Sequence, residues 1–140
     1  MEAHSQHAAK TVVLVDDEDL VRRLVSRLLE REGYRVLEVS TAEDGLAILS
    51  NGERVDLLLT DVTLPGMNGV ELGRRVLEER HDLKLICMSG SGEEEIVSDL
   101  LARAVGKAAF LGKPFSPGEL IEAVNNMLDV AQGPEWAAGA

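Results

Sequence analysis

Cysteine, aromatic residues and basic residues are all scarce in this chain of 140 residues. A single cysteine, Cys87, excludes an internal disulfide, and the scattered histidines do not combine with it at the spacing of a zinc site. Aromatic residues make up only 3% of the chain, so the core must be aliphatic. With 25 acidic against 14 basic residues, the net charge of -11 argues against direct binding to nucleic acid or to an anionic membrane surface.

The sequence also lacks a long hydrophobic run. No stretch approaches the roughly 20 apolar residues that a membrane-spanning helix needs, and residues 1–10 have no apolar segment of the signal-peptide type. We therefore predict a cytoplasmic protein without a membrane partner. Hydrophobic residues at 45% and charged residues at 28% are typical of a globular chain, and the length suits a single domain.

What the chain does contain is an alternation of short apolar runs and longer segments with helical periodicity. Five runs predict β-strands: residues 11–15, 35–39, 55–60, 84–88 and 108–111. The first and third runs are continuously apolar, which is typical of strands covered by helices on both faces. The pattern predicts one α/β domain with a doubly wound parallel sheet over residues 11–130. Residues 1–10 are expected to form a flexible segment and residues 131–140 a tail or linker.

Two of the intervening segments carry apolar stripes that predict amphipathic helices docked on the sheet. The stripes are Leu20, Val21, Leu24, Val25, Leu28 and Leu29 in the first segment, and Ile96, Val97, Leu100, Leu101, Ala104 and Val105 in the fourth. Helix starts are predicted by two capping boxes, Ser40 with Glu43 and Ser116 with Glu119, the second followed by Pro117.

Polar residues follow four of the five predicted strands. They are Asp16 and Asp17 after the first, Asp61 after the third, Ser89 after the fourth and Lys113 after the fifth. The carboxyl ends of parallel strands meet at one edge of a sheet, so these side chains are expected to converge. Clustered carboxylates repel each other unless a cation joins them, and Mg²⁺ prefers one or two carboxylates together with a phosphate oxygen. A lysine and a serine hydroxyl are suited to a phosphoryl group.

These residues lie in four separated motifs: Asp16-Asp17, Asp61 in Leu-Leu-Leu-Thr-Asp-Val-Thr-Leu-Pro-Gly-Met-Asn-Gly, Ser89 in Met-Ser-Gly, and Lys113 in Lys-Pro-Phe. Together and in this order the motifs closely resemble the receiver domain of two-component response regulators, a type of domain also found in hybrid histidine kinases. The resemblance covers nearly all of the predicted domain. It implies a flavodoxin-like (βα)₅ fold with strand order 2-1-3-4-5.

The resemblance also implies a function. Asp61 would accept a phosphoryl group from a histidine kinase or a histidine phosphotransfer protein. The chain would catalyse only its own phosphorylation and dephosphorylation, and would not be an enzyme acting on a separate substrate. Mg²⁺ would be bound by the carboxylates of Asp17 and Asp61, by Asp16 through water, and by the backbone carbonyl of Thr63.

The remaining implied roles concern the switch. Ser89 and Lys113 would hold the phosphoryl oxygens, and Phe110, three positions before the lysine, would rotate inward behind the Ser89 hydroxyl. The readout surface would be the fourth helix, fifth strand and fifth helix, residues 93–130. This surface would contact a downstream protein or a covalently linked effector domain, and would support a weak homodimer.

Functions from other classes fit the residues less well. A phosphatase of the haloacid-dehalogenase type needs a second acid two residues after its nucleophile, where Thr63 stands, and no phosphate-binding glycine loop of the nucleotide-binding type occurs. A protein-interaction adaptor of the same fold that works without phosphorylation stays open as the alternative.

Overall fold

Five parallel strands form the sheet, and a helix follows each strand along the chain. The structure is a computed structural model that describes residues 10–104 and 106–129. The elements in chain order are β1 (Thr11–Val15), α1 (Asp19–Arg31), β2 (Arg35–Val39), α2 (Ala42–Ser50), β3 (Leu57–Asp61), α3 (Gly69–Glu79), β4 (Lys84–Ser89), α4 (Glu94–Arg103), β5 (Ala108–Gly112) and α5 (Pro117–Met127).

The strands lie in the order β2-β1-β3-β4-β5, and every neighbouring pair is parallel. The predicted order 2-1-3-4-5 and the flavodoxin-like class are confirmed. All residues of the inner strands β1 and β3 are buried, which explains their continuously apolar sequences. Because the strands are parallel, all five carboxyl ends lie along the same edge of the sheet.

The core has two aliphatic layers, one on each face of the sheet. Side chains from β1, β3 and β4 alternate between the layers, as Val13 and Leu58 do on one face and Leu14 and Leu59 on the other. Helices α2, α3 and α4 cover the first face, and α1 and α5 cover the second. Cys87 lies fully buried in the first layer, where burial raises the pKa of its thiol to about 12.

The apolar stripe of α1 is only partly buried, which corrects the prediction that all six members dock on the sheet. Val25 and Leu29 pack in the core, whereas Leu20 is 85% exposed and Leu24 is 59% exposed. Leu20 and Leu24 form their own row one turn apart, rotated by about 100° from the row of Val25 and Leu29. Only one of the two rows can face the sheet, and the other remains at the surface.

The fourth helix is shorter than its predicted stripe. In α4 Val97 is buried while Ile96, its neighbour, is exposed. The helix ends at Arg103, and Ala104 is the residue that caps it, with its N–H donating to the Leu100 carbonyl. The prediction for Val105 falls outside the described residues.

Strand β3 begins at Leu57, two residues later than predicted, and Asp61 is its last residue rather than the one that follows it. The late start has a local cause at Asp56. Its N–H donates to the Thr11 carbonyl at 2.9 Å, and its Oδ2 accepts from the Thr11 N–H at 2.8 Å. Asp56 therefore ties the entry of β3 to β1 before the strand ladder starts. Strand β4 likewise runs one residue further than predicted and includes Ser89.

The predicted capping box at the start of α2 is wrong by one residue. Thr41, not Ser40, is the N-cap, because its backbone is extended and its hydroxyl accepts the N–H of Asp44 at 3.0 Å. Glu43, which was expected to complete the box, instead accepts from the N–H of Met67 at 3.4 Å. Its carboxylate thus contacts the loop after β3 rather than its own helix start.

The capping box of α5 is confirmed. The Ser116 hydroxyl accepts from the Glu119 N–H at 3.1 Å, and the Glu119 carboxylate accepts from the Ser116 N–H at 2.8 Å. Ser116→Ala is expected to lower the free energy of unfolding by about 1 kcal/mol, since it removes one of these bonds. Urea unfolding measures the change, and Glu122→Ala on the exposed side of the same helix serves as control. A loss no larger than that of the control would contradict the prediction.

Within the part of the chain that the structure describes, no helix is both long and apolar enough to cross a membrane. The predictions of a flexible segment over residues 1–10 and of a tail over residues 131–140 lie outside the described residues, apart from Lys10.

Candidate functional site

Three aspartates meet at the carboxyl edge of the sheet. Asp16 and Asp17 follow β1 directly, and Asp61 ends the neighbouring strand β3. One carboxylate oxygen from each of the three lies within 4.8 Å of the others. Asp16 and Asp61 are buried, while Asp17 is exposed. The convergence expected of these three carboxylates is therefore present in the structure.

Asp16 has one oxygen in use and one without a partner. Its Oδ1 accepts from the Glu18 N–H at 2.9 Å, whereas the buried Oδ2 has no hydrogen-bond partner among the described residues. Burial raises the pKa of the Asp16 carboxyl, although the Glu18 N–H and the charge of Lys113 oppose the rise. An unpartnered buried carboxylate oxygen is costly, so this atom is oriented for a ligand that carries positive charge.

Arg22 of α1 binds the loop after β1, which carries Asp16 and Asp17. Its guanidinium donates to the backbone carbonyl of Asp16 at 2.9 Å and to Glu38 of β2 at 3.3 Å, and it pairs with Asp19 at 2.9 Å. The Arg22 side chain is mostly buried, and its bond to the Asp16 carbonyl is partly shielded from solvent, whereas its partner Asp19 is largely exposed. Because Arg22 binds the backbone carbonyl of Asp16 and not its carboxylate, the carboxylate can face the other acids of the site.

Lys113 pairs directly with Asp61. Its Nζ lies 2.7 Å from Asp61 Oδ1, and its backbone N–H donates to the Ser89 carbonyl at 2.8 Å, which fixes the chain beside β4. Burial raises the pKa of Asp61 to about 6; the bond to Lys113 opposes this rise, while the charges of Asp16 and Asp17 add to it. Burial, the largest single effect, lowers the pKa of Lys113, but the bond to Asp61 and the negative charges of Asp61, Asp16 and Glu18 together outweigh burial and leave that pKa raised. At neutral pH the pair is an ammonium and a carboxylate.

The donor set fits a hard divalent cation. Three carboxylates lie together, two of them have raised pKa values because of burial, and one buried oxygen has no partner. All are oxygen ligands, which Mg²⁺ prefers, and no histidine or thiolate belongs to the cluster. Mg²⁺ would therefore relieve the repulsion among Asp16, Asp17 and Asp61.

The loops after β3 and β4 complete the rim of the site. The buried Ser89 hydroxyl has no hydrogen-bond partner among the described residues. Thr63, two residues after Asp61, donates its hydroxyl to Glu93, and Glu93 also accepts from the Gly90 N–H at 2.8 Å. Sequence analysis assigned Glu93 no part in the site, because its charge is explained equally well as an acid at a helix start. Only the contact across the two loops reveals it.

Phe110 lies on β5 and is 39% exposed, so its ring is in an outward position. It stands two residues before Gly112, and a Cβ added to Gly112 would come within 3.5 Å of the Phe110 ring. Ser89 pairs with Gly112 in the register of β4 and β5. The ring and the Ser89 hydroxyl are thus positioned along adjacent strands.

An acidic triad with a paired lysine, at the carboxyl edge of a five-stranded parallel sheet of order 2-1-3-4-5, defines a receiver-type α/β domain. The family model for the response regulator receiver domain matches residues 12–125. The chain belongs to this family of signalling proteins.

Among its relatives is the sensor kinase CckA of Brucella abortus, which is 39% identical over 120 residues; the match covers 85% of this chain and 12% of the kinase. The phosphate regulon transcriptional regulatory protein PhoB of Pseudomonas aeruginosa is 34% identical over 121 residues, with 85% of this chain and 52% of PhoB covered. The chain therefore spans about half of one of these relatives and a small part of the other.

A solved structure of the response regulator protein TrrA from Thermotoga maritima, in complex with Mg²⁺ and BeF, superimposes with a TM-score of 0.73 at 29% identity. The match covers 85% of this chain and 99% of that one. The likeness therefore extends over most of this chain and nearly the whole of the TrrA chain.

Proposed function

We propose that this chain is a phosphoacceptor domain whose Asp61 receives a phosphoryl group from a phosphohistidine. The observation that carries the proposal is the pairing of Asp61 with Lys113 at 2.7 Å inside the acidic cluster. A carboxylate oxygen of Asp61 attacks phosphorus; the P–O bond forms as the P–N bond breaks, and the departing imidazole keeps the electron pair and takes a proton from solvent. Because Asp61 is already ionised at neutral pH, no general base is needed.

The other residues act by charge and position. Asp17 and Asp61 would hold Mg²⁺ through their carboxylates, Asp16 through water and Thr63 through its backbone carbonyl. Bound there, the ion supplies neutralising charge for the transferring phosphoryl group. Lys113 now contacts a carboxylate oxygen of Asp61. After transfer Asp61 is an acyl phosphate, and Lys113 then binds one of its phosphoryl oxygens. The TrrA complex with Mg²⁺ and BeF supports this assignment.

The unpartnered hydroxyl of Ser89 supports its role in the switch. The hydroxyl donates to a phosphoryl oxygen, moves toward Asp61 and leaves space that the outward ring of Phe110 then enters. Phenylalanine has no hydroxyl, so the inward and outward states differ only in packing. The change alters the surface formed by α4, β5 and α5, which contacts a downstream protein or a linked effector domain and supports a weak homodimer.

The exposed side of α1 supports a protein as the phosphoryl donor. An apolar groove between α1 and the start of α5 is lined by Leu24, Leu28 and Phe115 and reaches Lys113. The groove and the site share Lys113, so a protein that delivers a phosphoryl group to Asp61 would lie beside this groove. Its occupant is the histidine-bearing surface of a histidine kinase or a histidine phosphotransfer protein, and this gives the exposed Leu24 a partner.

Incubation with acetyl phosphate and Mg²⁺, followed by intact mass measurement, tests the proposal. The wild type is expected to gain one phosphoryl group, Asp61→Asn none, and Asp82→Asn, which removes an exposed carboxylate elsewhere, the same as the wild type. An unmodified wild type would favour a phosphorylation-independent adaptor. Modification that persists in Asp61→Asn would show that another residue is the acceptor.

A further inference from the structure

Glu93 connects the two loops that carry the acceptor site. Its Oε1 accepts from the Gly90 N–H at 2.8 Å, and its Oε2 accepts the hydroxyl of Thr63. Gly90 follows Ser89 directly, and Thr63 lies two residues after Asp61. The carboxylate of Glu93 is therefore held at the rim of the site, although no residue of the acidic cluster contacts it.

These contacts occupy two hydrogen-bond donors on the loops that flank the site, the Thr63 hydroxyl and the Gly90 N–H. A phosphoryl group brings three strong acceptor oxygens and negative charge to Asp61. Lys113 and the unpartnered Ser89 hydroxyl are two donors for it, and the two further donors lie on the loops that carry Asp61 and Ser89. Both of these are bonded to the Glu93 carboxylate, which carries the same sign of charge as the phosphoryl group.

Glu93 can also give up its bonds to Gly90 and Thr63 without losing a cap of its own helix. Glu93 occupies the N-cap position of α4, yet its side chain makes no capping hydrogen bond to that helix. A Cβ added to Gly90 would meet nothing within 4 Å, so the peptide is not crowded on that side. A Glu93 carboxylate that leaves Gly90 remains at the start of α4, where the free N–H groups of the first turn favour an acid.

We infer that Glu93 is an internal competitor of the phosphoryl group: its carboxylate occupies the Gly90 N–H and the Thr63 hydroxyl until phosphorylation of Asp61 displaces it. This inference rests on the proposed function. It makes Glu93 a positioning residue that lowers the affinity of the resting site for anions. It also links occupation of the site to the beginning of α4, because the displaced side chain belongs to that helix.

The test is a titration with beryllofluoride at saturating Mg²⁺, followed by the backbone amide NMR signals of Gly90 and its neighbours. Glu93→Gln keeps an oxygen that can accept from Gly90 but removes the charge, so the half-saturating concentration is expected to fall about threefold or more, in line with energies of partly exposed charges. Glu95→Gln removes an equal charge from the same helix turn and is expected to titrate as the wild type does. The free-state Gly90 amide signal should shift in Glu93→Gln and not in Glu95→Gln.

The sign of the change separates competition from a merely structural role. If Glu93 only braced the two loops, its loss would weaken beryllofluoride binding, and Glu93→Ala would weaken it most. Competition predicts tighter binding in both Glu93→Gln and Glu93→Ala. If both Glu93 variants bind beryllofluoride no more tightly than the wild type, or if Glu95→Gln tightens binding equally, the inference is overturned. The proposed function is unaffected by that result as long as the wild type itself saturates with beryllofluoride. A wild type that binds no beryllofluoride overturns both.

Discussion

Replacing Gly69 by alanine is expected to destabilise the domain by about 2–4 kcal/mol, more than most single substitutions do. Gly69 is the first residue of α3, and a Cβ there would lie 1.9 Å from the backbone carbonyl oxygen of Asp61 and 2.9 Å from Thr60 Oγ1. The Gly69 N–H also donates to the Val62 carbonyl at 2.9 Å. Backbone, not a flexible side chain, blocks the methyl group, so the loop that carries the acceptor would have to move.

Urea unfolding of Gly69→Ala measures this loss. Gly118→Ala is the matched control, because Gly118 is in the first turn of α5 and the nearest atom to an added Cβ is 3.9 Å away. It should be as stable as the wild type or slightly more stable, since alanine favours a helix over glycine. Gly69→Ala within about 0.5 kcal/mol of the wild type would show that the close approach to Asp61 yields at little cost.

Without divalent ions, the domain is expected to become less stable as the pH rises from about 4 to about 6. Burial raises the pKa of Asp61 to about 6 in the folded state, whereas an unfolded aspartate titrates near 3.9. In this window the folded state binds more protons than the unfolded state, so the free energy of unfolding falls with rising pH. The full penalty, up to about 3 kcal/mol, is present above pH 6. The raised pKa of Asp16 acts in the same direction.

Mg²⁺ should remove most of this penalty by binding the folded state. Thermal melts at pH 5 and pH 7, with and without Mg²⁺, measure it. The wild type is expected to gain stability from Mg²⁺ mainly at pH 7, Asp61→Asn to lose most of the pH dependence, and Asp17→Asn to lose the Mg²⁺ effect. Melting temperatures that are equal with and without Mg²⁺ would contradict the assignment of the cluster to a cation.

The parallel α/β architecture and the convergence of the strand-end residues were predictable from the sequence for one physical reason, whereas the strand order 2-1-3-4-5 came from the resemblance to receiver domains. Parallel strands bury both faces and so have continuous apolar runs, and their carboxyl ends must lie at one edge. Asp16, Asp61, Ser89 and Lys113 each stand at or just after the end of such a run, so their convergence followed from the strand pattern. The structure adds to this the partners of each side chain, above all the contact of Lys113 with Asp61.

Features that depend on helix rotation and loop contacts were not predictable in this way. The stripe of α1 contains two rows, and its sequence does not tell which row faces the sheet; the structure exposes Leu20 and Leu24. Ser40 and Thr41 are both good capping residues, and backbone geometry decides between them. Glu93 meets Thr63 from another loop, 30 residues away in the chain, and no local pattern marks that contact.

The burial of Cys87 has a practical consequence for measuring these motions. It is the one cysteine in the sequence, it is fully inaccessible, and its thiol has a pKa of about 12, so it is a poor nucleophile at neutral pH. An exposed cysteine introduced on α4 or beside Phe110 would therefore be the reactive thiol for a maleimide or a spin label. The native chain thus provides a nearly silent background for attaching a single spectroscopic probe to the surface expected to move.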